Sequence, residues 1–175
     1  MMLWGNGQHQ FAEAAMGYSS GLNWLSYQQR GWSDPHVVGY SESHDEERML
    51  YKLLQFGNDG PGHDTQQSEV AYDRAEAANT IFFSIPGPKM MWQFQELGYD
   101  FSINYCINGG NSPNCRLDPK PIRWDYAEVE GRRQLYAVIS ALTHLKKSYP
   151  TFATTDFHFL DQSYYKRIKL NHSDM

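Results

Sequence analysis

Three short apolar runs, each ending in a burst of polar residues, constrain this chain more than any other feature. Met1 to Trp4 leads into Gly5-Asn6-Gly7, and Val37 to Ser41 leads into Glu42-Ser43-His44-Asp45-Glu46-Glu47-Arg48. Lys89 to Phe94 leads into Gln95 to Asp100. The runs show little polar alternation, as expected of strands in a parallel sheet covered on both faces. Stretches of helical period separate them. Phe11, Ala14, Ala15 and Tyr18 predict a helix that starts near Gln10 and breaks at Gly21, with Trp24 to Arg30 continuing helically after the break. Met49, Leu50, Leu53 and Leu54 predict a short helical piece. Asp64 with Gln67 resembles a capping box. From there Val70, Arg74, Ala75, Ala78, Ile81, Phe82 and Ile85 predict a helix that stops at Pro86-Gly87-Pro88. Leu135, Val138, Ile139, Leu142, Leu145 and Tyr149 predict another, ended by Pro150.

Strand alternating with helix predicts an α/β fold whose parallel strands are joined by right-handed crossovers. In α/β barrels the working residues sit where strands end and loops begin. Here those ends carry Asn6 to His9, Glu42 to Asp45, and Gln95 to Asp100. The segment 153–170 is strand-like and predicts the start of a β-rich unit.

Composition narrows the function. The 175 residues are 41% hydrophobic and 20% charged, an ordinary globular balance with enough chain for a core. A formal charge of −5 and the absence of a basic stripe exclude a protein that works by neutralising nucleic-acid phosphates. Lys146-Lys147 reads as a helix C-terminus and Lys166-Arg167 as a solvated strand. No run approaches the ~18 apolar residues of a membrane span. The opening MMLWGNGQHQ lacks the basic and long apolar regions of a signal peptide. Met1 to Trp4 starts as a strand without a lead-in, and YYKRIKLNHSDM stops just after a strand-like run, so both ends read as cut from something longer.

Residues 98–126 form a long stretch rich in Gly, Asn and Pro, a length that inside a compact domain is usually functional or disordered. It contains the two cysteines, Cys106 and Cys115, in CINGGNSPNCR. They read equally well as a loop-closing disulfide, implying an oxidising compartment, or as two free thiols. No further ligands stand at zinc spacing. His36, His63, His144, His158 and His172 likewise stand at no metal spacing, and His9 reads as a surface residue. Of the tryptophans, Trp4 and Trp92 fall in strands and read as packed core. Trp32 and Trp124 fall in loops and are candidates for exposed sugar platforms.

The motifs then carry a resemblance. SHDEER after a strand resembles the fourth conserved region of the alpha-amylase family, glycoside hydrolase family 13, where an apolar strand runs into Asn-His-Asp at the end of the seventh barrel strand. IPGPKMMWQFQELG resembles that family's eighth-strand segment, and KPIRWDY resembles the Pro and Trp segment before the last barrel helix. The similarity runs through nearly the whole chain in the family's order and spacing. Ser43 stands where Asn is usual, Lys89 where Pro is usual, and Phe94 where Gly is usual.

The resemblance implies a partial (β/α)8 TIM barrel, about its last three βα units, over 1–150, followed by the start of a β domain at 151–175. It implies a retaining glycoside hydrolase acting on α-1,4-glucans such as starch and maltooligosaccharides. Asp45 would be the transition-state stabiliser, with His44 and Glu96 binding substrate, although Glu96 reads equally well as a buried structural acid satisfied by backbone N–H groups. A flattened, charged sugar ring is favoured by contacts that strengthen with that distortion. The nucleophile and acid/base carboxylates come, in this family, from strands four and five, upstream of the segment matched here. The chain is therefore expected to be inactive alone, to carry no cofactor or metal of its own, and to self-associate or pair with the missing barrel half. Calcium would belong to that missing half, and the parent enzyme would be secreted or periplasmic. Two other readings of the same residues stand beside this one. Either the chain is a non-catalytic carbohydrate-binding or structural module, or His44 and Asp45 are a strand end solvated by its own charges.

Overall fold

A computed structural model of the chain describes residues 1–173. Strand β1 (Leu3–Asn6) leads into helix α1 (Gln8–Met16), which ends at Gly17 in the left-handed conformation. Strand β2 (Val37–Tyr40) then returns beside β1, parallel to it, with Leu3 opposite Val37 and Asn6 opposite Tyr40. Helix α2 (Met49–Phe56) and helix α3 (Ser68–Ser84) follow. The third expected strand shrinks to a single parallel bridge between Gly39 and Lys89. The Gly39 N–H donates to Pro88 and the Met90 N–H donates to Gly39. Beyond Met90 the backbone turns at once, because Phe94 adopts φ 60° and starts a 3-10 turn over Gln95–Leu97. The expected helix over 24–30 is likewise only a 3-10 turn, Asn23–Leu25. Helix α4 (Glu130–Ser148) packs along α3, and an antiparallel hairpin of β3 (Phe157–Gln162) and β4 (Tyr165–Leu170) closes the described chain.

Helices α2, α3 and α4 form where the apolar period said they would, whereas α1 stops at Gly17, short of the expected break at Gly21. On α3, Ala71, Tyr72, Ala75, Ala78, Phe82 and Phe83 fall on one buried face. The small residues let α1 approach, and Phe82 meets Phe11 edge-on with ring centroids 5.7 Å apart. The Asp64–Gln67 pairing exists, with Gln67 Nε2 donating to Asp64 Oδ2 at 2.9 Å, but it shapes the turn before α3 rather than its first turn. The main core joins α1 to α4 with Leu25, Tyr27 and Val37, and it takes in Phe157 and Phe159 of the hairpin. Trp4 departs from its expected core place: β1 is an edge strand, and Trp4 is 66% exposed on its outer side. Trp32 lies half-buried against the core, whereas Trp124 is 71% exposed, with its ring against Phe94.

Residues 98–126 are ordered by a second, smaller apolar cluster of Phe94, Leu97, Tyr99 and Tyr126. Arg132, buried on α4, donates to the Leu97 carbonyl at 2.9 Å and to the Asp100 carboxylate at 2.7 Å, and its guanidinium stacks on Tyr126. Tyr99 donates to the Pro121 carbonyl, and its burial pushes its phenol up to about 12.

The C-terminus of α3 is covered by two lysines. Lys89 donates to the carbonyls of Ile85 and Gly87 at 2.9 Å, and Lys146 donates to those of Phe83 and Ile85 at 3.1 Å. Cations suit a helix C-terminus. Burial nevertheless pushes Lys146 down to about 8, and burial together with the neighbouring Lys146 charge pushes Lys89 well below its ordinary range. A lysine in the unfolded chain titrates near ~10.4, so above pH ~8 the unfolded state holds the extra proton and stability rises with pH. Urea midpoints are expected to climb between about pH 8 and about pH 10, and Lys146→Met should flatten that climb. A midpoint that falls over this interval in the parent protein would refute this account.

Candidate functional site

The site is built on the end of β2. After Tyr40 the chain turns inward, and the Ser41 hydroxyl accepts a hydrogen bond from Gln95 Nε2 at 2.9 Å. Glu42 follows, fully buried. Its Oε2 accepts from Arg48 Nε at 2.6 Å and its Oε1 accepts from the Met49 N–H at 2.9 Å. Both side chains of the pair are about 5% exposed or less. Glu42 thus serves the N-terminus of α2, where negative charge and open N–H groups meet favourably. Arg48 also donates to the Gln93 carbonyl at 2.6 Å and lies over the Tyr99 ring. One guanidinium ties together the strand end, the start of α2 and the turn before Phe94.

Between these fixed ends, residues 43–47 arch outward. Ser43 Oγ accepts from the Asp45 N–H at 3.1 Å and donates to the Glu46 carboxylate. Glu46 also accepts from Asn6 Nδ2 at 2.6 Å, which locks the arch to the end of β1. Gln8 Nε2 donates to the Glu47 carbonyl at 2.6 Å. The Glu47 carboxylate accepts from Ser102 Oγ at 2.7 Å and from the Ile103 N–H at 2.9 Å. Glu46 and Glu47 therefore hold loops together rather than standing in solvent.

His44 and Asp45 remain at the crest, with side chains 69% and 66% exposed. His44 Nε2 lies 3.3 Å from Asp45 Oδ2. The His44 ring faces Trp92 at 5.5 Å between centroids. Trp92 is thus a half-buried neighbour of the crest, not a strand residue in the core, because the bridge at Lys89 ends the sheet before it. Arg116 approaches from the opposite side, 3.7 Å from Asp45 Oδ1, and also donates to the Asp45 carbonyl. Beneath the crest, burial and the negative charges of Glu46 and Asp45 push the Tyr40 phenol up.

Glu96 lies elsewhere. It lines a groove of about 530 Å³ against α4 with Met91, Tyr136, Ile139 and His144, and neither His44 nor Asp45 borders that groove. Phe94, the residue standing where Gly is usual, takes a left-handed φ that disfavours a side chain by roughly 1–2 kcal/mol. Its burial against Tyr99 and Trp124 offsets that cost. The matching Gly98 at the far end of the turn has φ 62°, and a Cβ there would sit 2.8 Å from Leu50.

Cys106 and Cys115 are bridged. With Asp118 they are the only group of three or more His, Cys, Asp or Glu side chains close enough to share a metal ion among the described residues, and their sulfurs are committed to each other. Calcium takes about six to eight oxygen ligands, which this group does not offer. His9 is a surface residue beside Glu13.

The arrangement is one free carboxylate at a strand end, flanked by an imidazole, an indole and a guanidinium. Such a group accepts hydrogen bonds from neutral hydroxyls while the aromatic face stacks on an apolar ring surface. Sequence reasoning named His44 and Asp45, which the structure places side by side at the crest, but it did not name Arg116 or the Glu42–Arg48 pair. The only signal for that pair was a lone basic residue closing an acidic run.

No family model matches the sequence, and no curated protein matches it. Among solved structures, the type III pullulan hydrolase from Thermococcus kodakarensis superposes with a TM-score of 0.61 at 21% identity, over 96% of this chain and 27% of its own length. An alpha-amylase from H. orenii superposes with a TM-score of 0.56 at 16% identity, over 95% of this chain and 35% of its own. The chain thus spans about a quarter to a third of these structures, and over that span it shares their fold.

Removing one member of a buried ion pair leaves the other charge stranded, at a cost of about 3–5 kcal/mol. Arg48→Met and Glu42→Leu should each destabilise the protein by that amount in urea unfolding. The double variant should recover much of the loss. Single variants that unfold like the parent would mean the pair is dispensable.

Proposed function

We propose that these residues are the C-terminal part of the catalytic barrel of an alpha-amylase-type glycoside hydrolase, family 13, acting on α-1,4-glucans with retention of configuration. Residues 1–150 supply the last three βα units, and 151–175, of which 174 and 175 lie outside the described residues, begin a C-terminal β domain. Asp45 is the transition-state stabiliser, gripping hydroxyls of the sugar at the cleavage point, and His44 hydrogen-bonds the same ring. One observation carries the reading: in the acidic run after β2 only Asp45 has a mostly exposed carboxylate, bordered by the exposed side chains of His44 and Arg116, whereas Glu42, Glu46 and Glu47 are taken up in tying strand, helix and loops together. The shared fold with a pullulan hydrolase and an alpha-amylase supports it. Glu96 faces the α4 groove instead, so the subsite rests on His44 and Asp45.

Retaining hydrolysis needs a nucleophile and an acid/base about 5–5.5 Å apart. Glu46 and Glu47 are engaged in holding loops, so the reading takes both groups from outside these 175 residues. The chain alone binds glucan without cleaving it. The same residues serve a carbohydrate-binding module, which differs only in lacking a catalytic partner. The outer edge of β1, with Met2, Leu3 and Trp4 exposed, supports pairing with another copy or with the rest of a barrel.

In a maltoheptaose titration, Asp45→Ala should weaken binding by about tenfold or more, the scale of hydrogen bonds to a charged group. Its unfolding free energy should stay within ~0.5 kcal/mol of the parent, since the residue is exposed. Binding unaffected by the substitution, or starch hydrolysis by the purified chain, would sink the assignment. Light scattering should find dimers or larger species, whereas a stable monomer would argue against the open edge.

A further inference from the structure

We propose that Arg116 is a positioning residue for Asp45, and that the Cys106–Cys115 disulfide holds Arg116 in that role. The strand-end carboxylate would then be oriented by a redox-sensitive clamp. The glucan part of this inference rests on the function proposed above; the clamp itself does not.

Arg116 reaches Asp45 twice, with its guanidinium donating to the main-chain carbonyl and lying 3.7 Å from Oδ1. The carbonyl contact fixes the backbone that carries the carboxylate, so it sets direction as well as charge. Both side chains are about half exposed or more. An ion pair in that setting is weak and screened when its members are free to move. It persists only if the arginine is already held in position.

The loop supplies that order. Cys115 immediately precedes Arg116 and is bonded to Cys106, nine positions earlier. Within the ring the Cys106 N–H donates to Gly110, and the Gly109 N–H donates back to Cys106. Lys120 donates to the carbonyls of Tyr105 and Cys115, both at 2.8 Å. The base of the loop is anchored separately, by the Glu47 carboxylate on Ser102 and Ile103. Glu47 lies two residues from Asp45, so the loop leaves the arch at one point and returns to it at another. Opening the disulfide removes the one covalent tie beside Arg116, so that the tip is held only by hydrogen bonds such as those of Lys120, and it leaves the Glu47 anchor in place.

The test compares the parent protein, Arg116→Ala, Arg116→Lys and the parent reduced with a dithiol. The dithiol gives two electrons and two protons, converting the bridge to two thiols as it closes its own disulfide. The first readout is the amide NMR signal of Glu46, whose nitrogen is bonded to the Asp45 carbonyl carbon. The Ile103 amide, held by Glu47, is the internal control. Arg116→Ala and reduction should move the Glu46 signal the same way and leave Ile103 in place, with Arg116→Lys intermediate. The second readout is maltoheptaose affinity. It should fall about two- to fivefold on Arg116→Ala, the range of an exposed charge pair, and similarly on reduction. Reducing Arg116→Ala should add nothing further, because the two changes break the same link. A Glu46 signal indifferent to reduction, or additive losses, would overturn the clamp. So would movement of Ile103 together with Glu46. Absence of maltoheptaose binding by the parent would count against the glucan reading, while the amide signals still decide the clamp.

Discussion

The Glu42 carboxylate and the Arg48 guanidinium meet at 2.6 Å with almost no water around them. Removing two charges from water is expensive, and their attraction offsets that cost only if the remaining hydrogen-bonding positions are also filled. Here the Met49 N–H adds a second donor to the acid, and the Gln93 carbonyl adds a second acceptor to the base. The pair therefore does more than neutralise itself. It brings the end of a strand, the start of a helix and a turn more than forty residues away to one point. The outward arch of 43–47 exists because both of its feet are pinned there.

From that pin the rest of the acidic run acquires separate roles. Glu46 ties the arch to β1, Glu47 ties it to the long loop, and the Ser43 hydroxyl turns the backbone between them. What is left over is Asp45, raised above the surface with His44 and Trp92 on one side and Arg116 on the other. The same economy governs residues 98–126. Tyr99, Tyr126 and Arg132 convert a Gly- and Pro-rich segment into an ordered wall carrying the disulfide tip.

The helices were legible because apolar spacing reports which face is buried, whatever it is buried against: Phe82 and Leu135 are inside as their periods demanded. The parallel pairing of β1 and β2 followed from the helix between them. The strand at Lys89 to Phe94 was misjudged because an apolar run does not reveal backbone sign, and Phe94 turns left-handed. Trp4 was misjudged because burial of a strand residue depends on what lies on the far side of the sheet. Glu96 followed its motif neighbours in sequence but faces a different groove, since the turn that begins at Phe94 redirects it.

The sequence by itself determined the order of elements and the strand end at which ionisable groups gather, His44 and Asp45 among them. Those follow from local rules, namely period, turn residues and the charge that a buried strand cannot carry onward. Only the tertiary structure decided which of six neighbouring ionisable groups stays free. That choice depends on partners far away in the chain, Asn6, Gln93, Ser102 and Arg116, whose arrival at one place depends on how the whole chain packs.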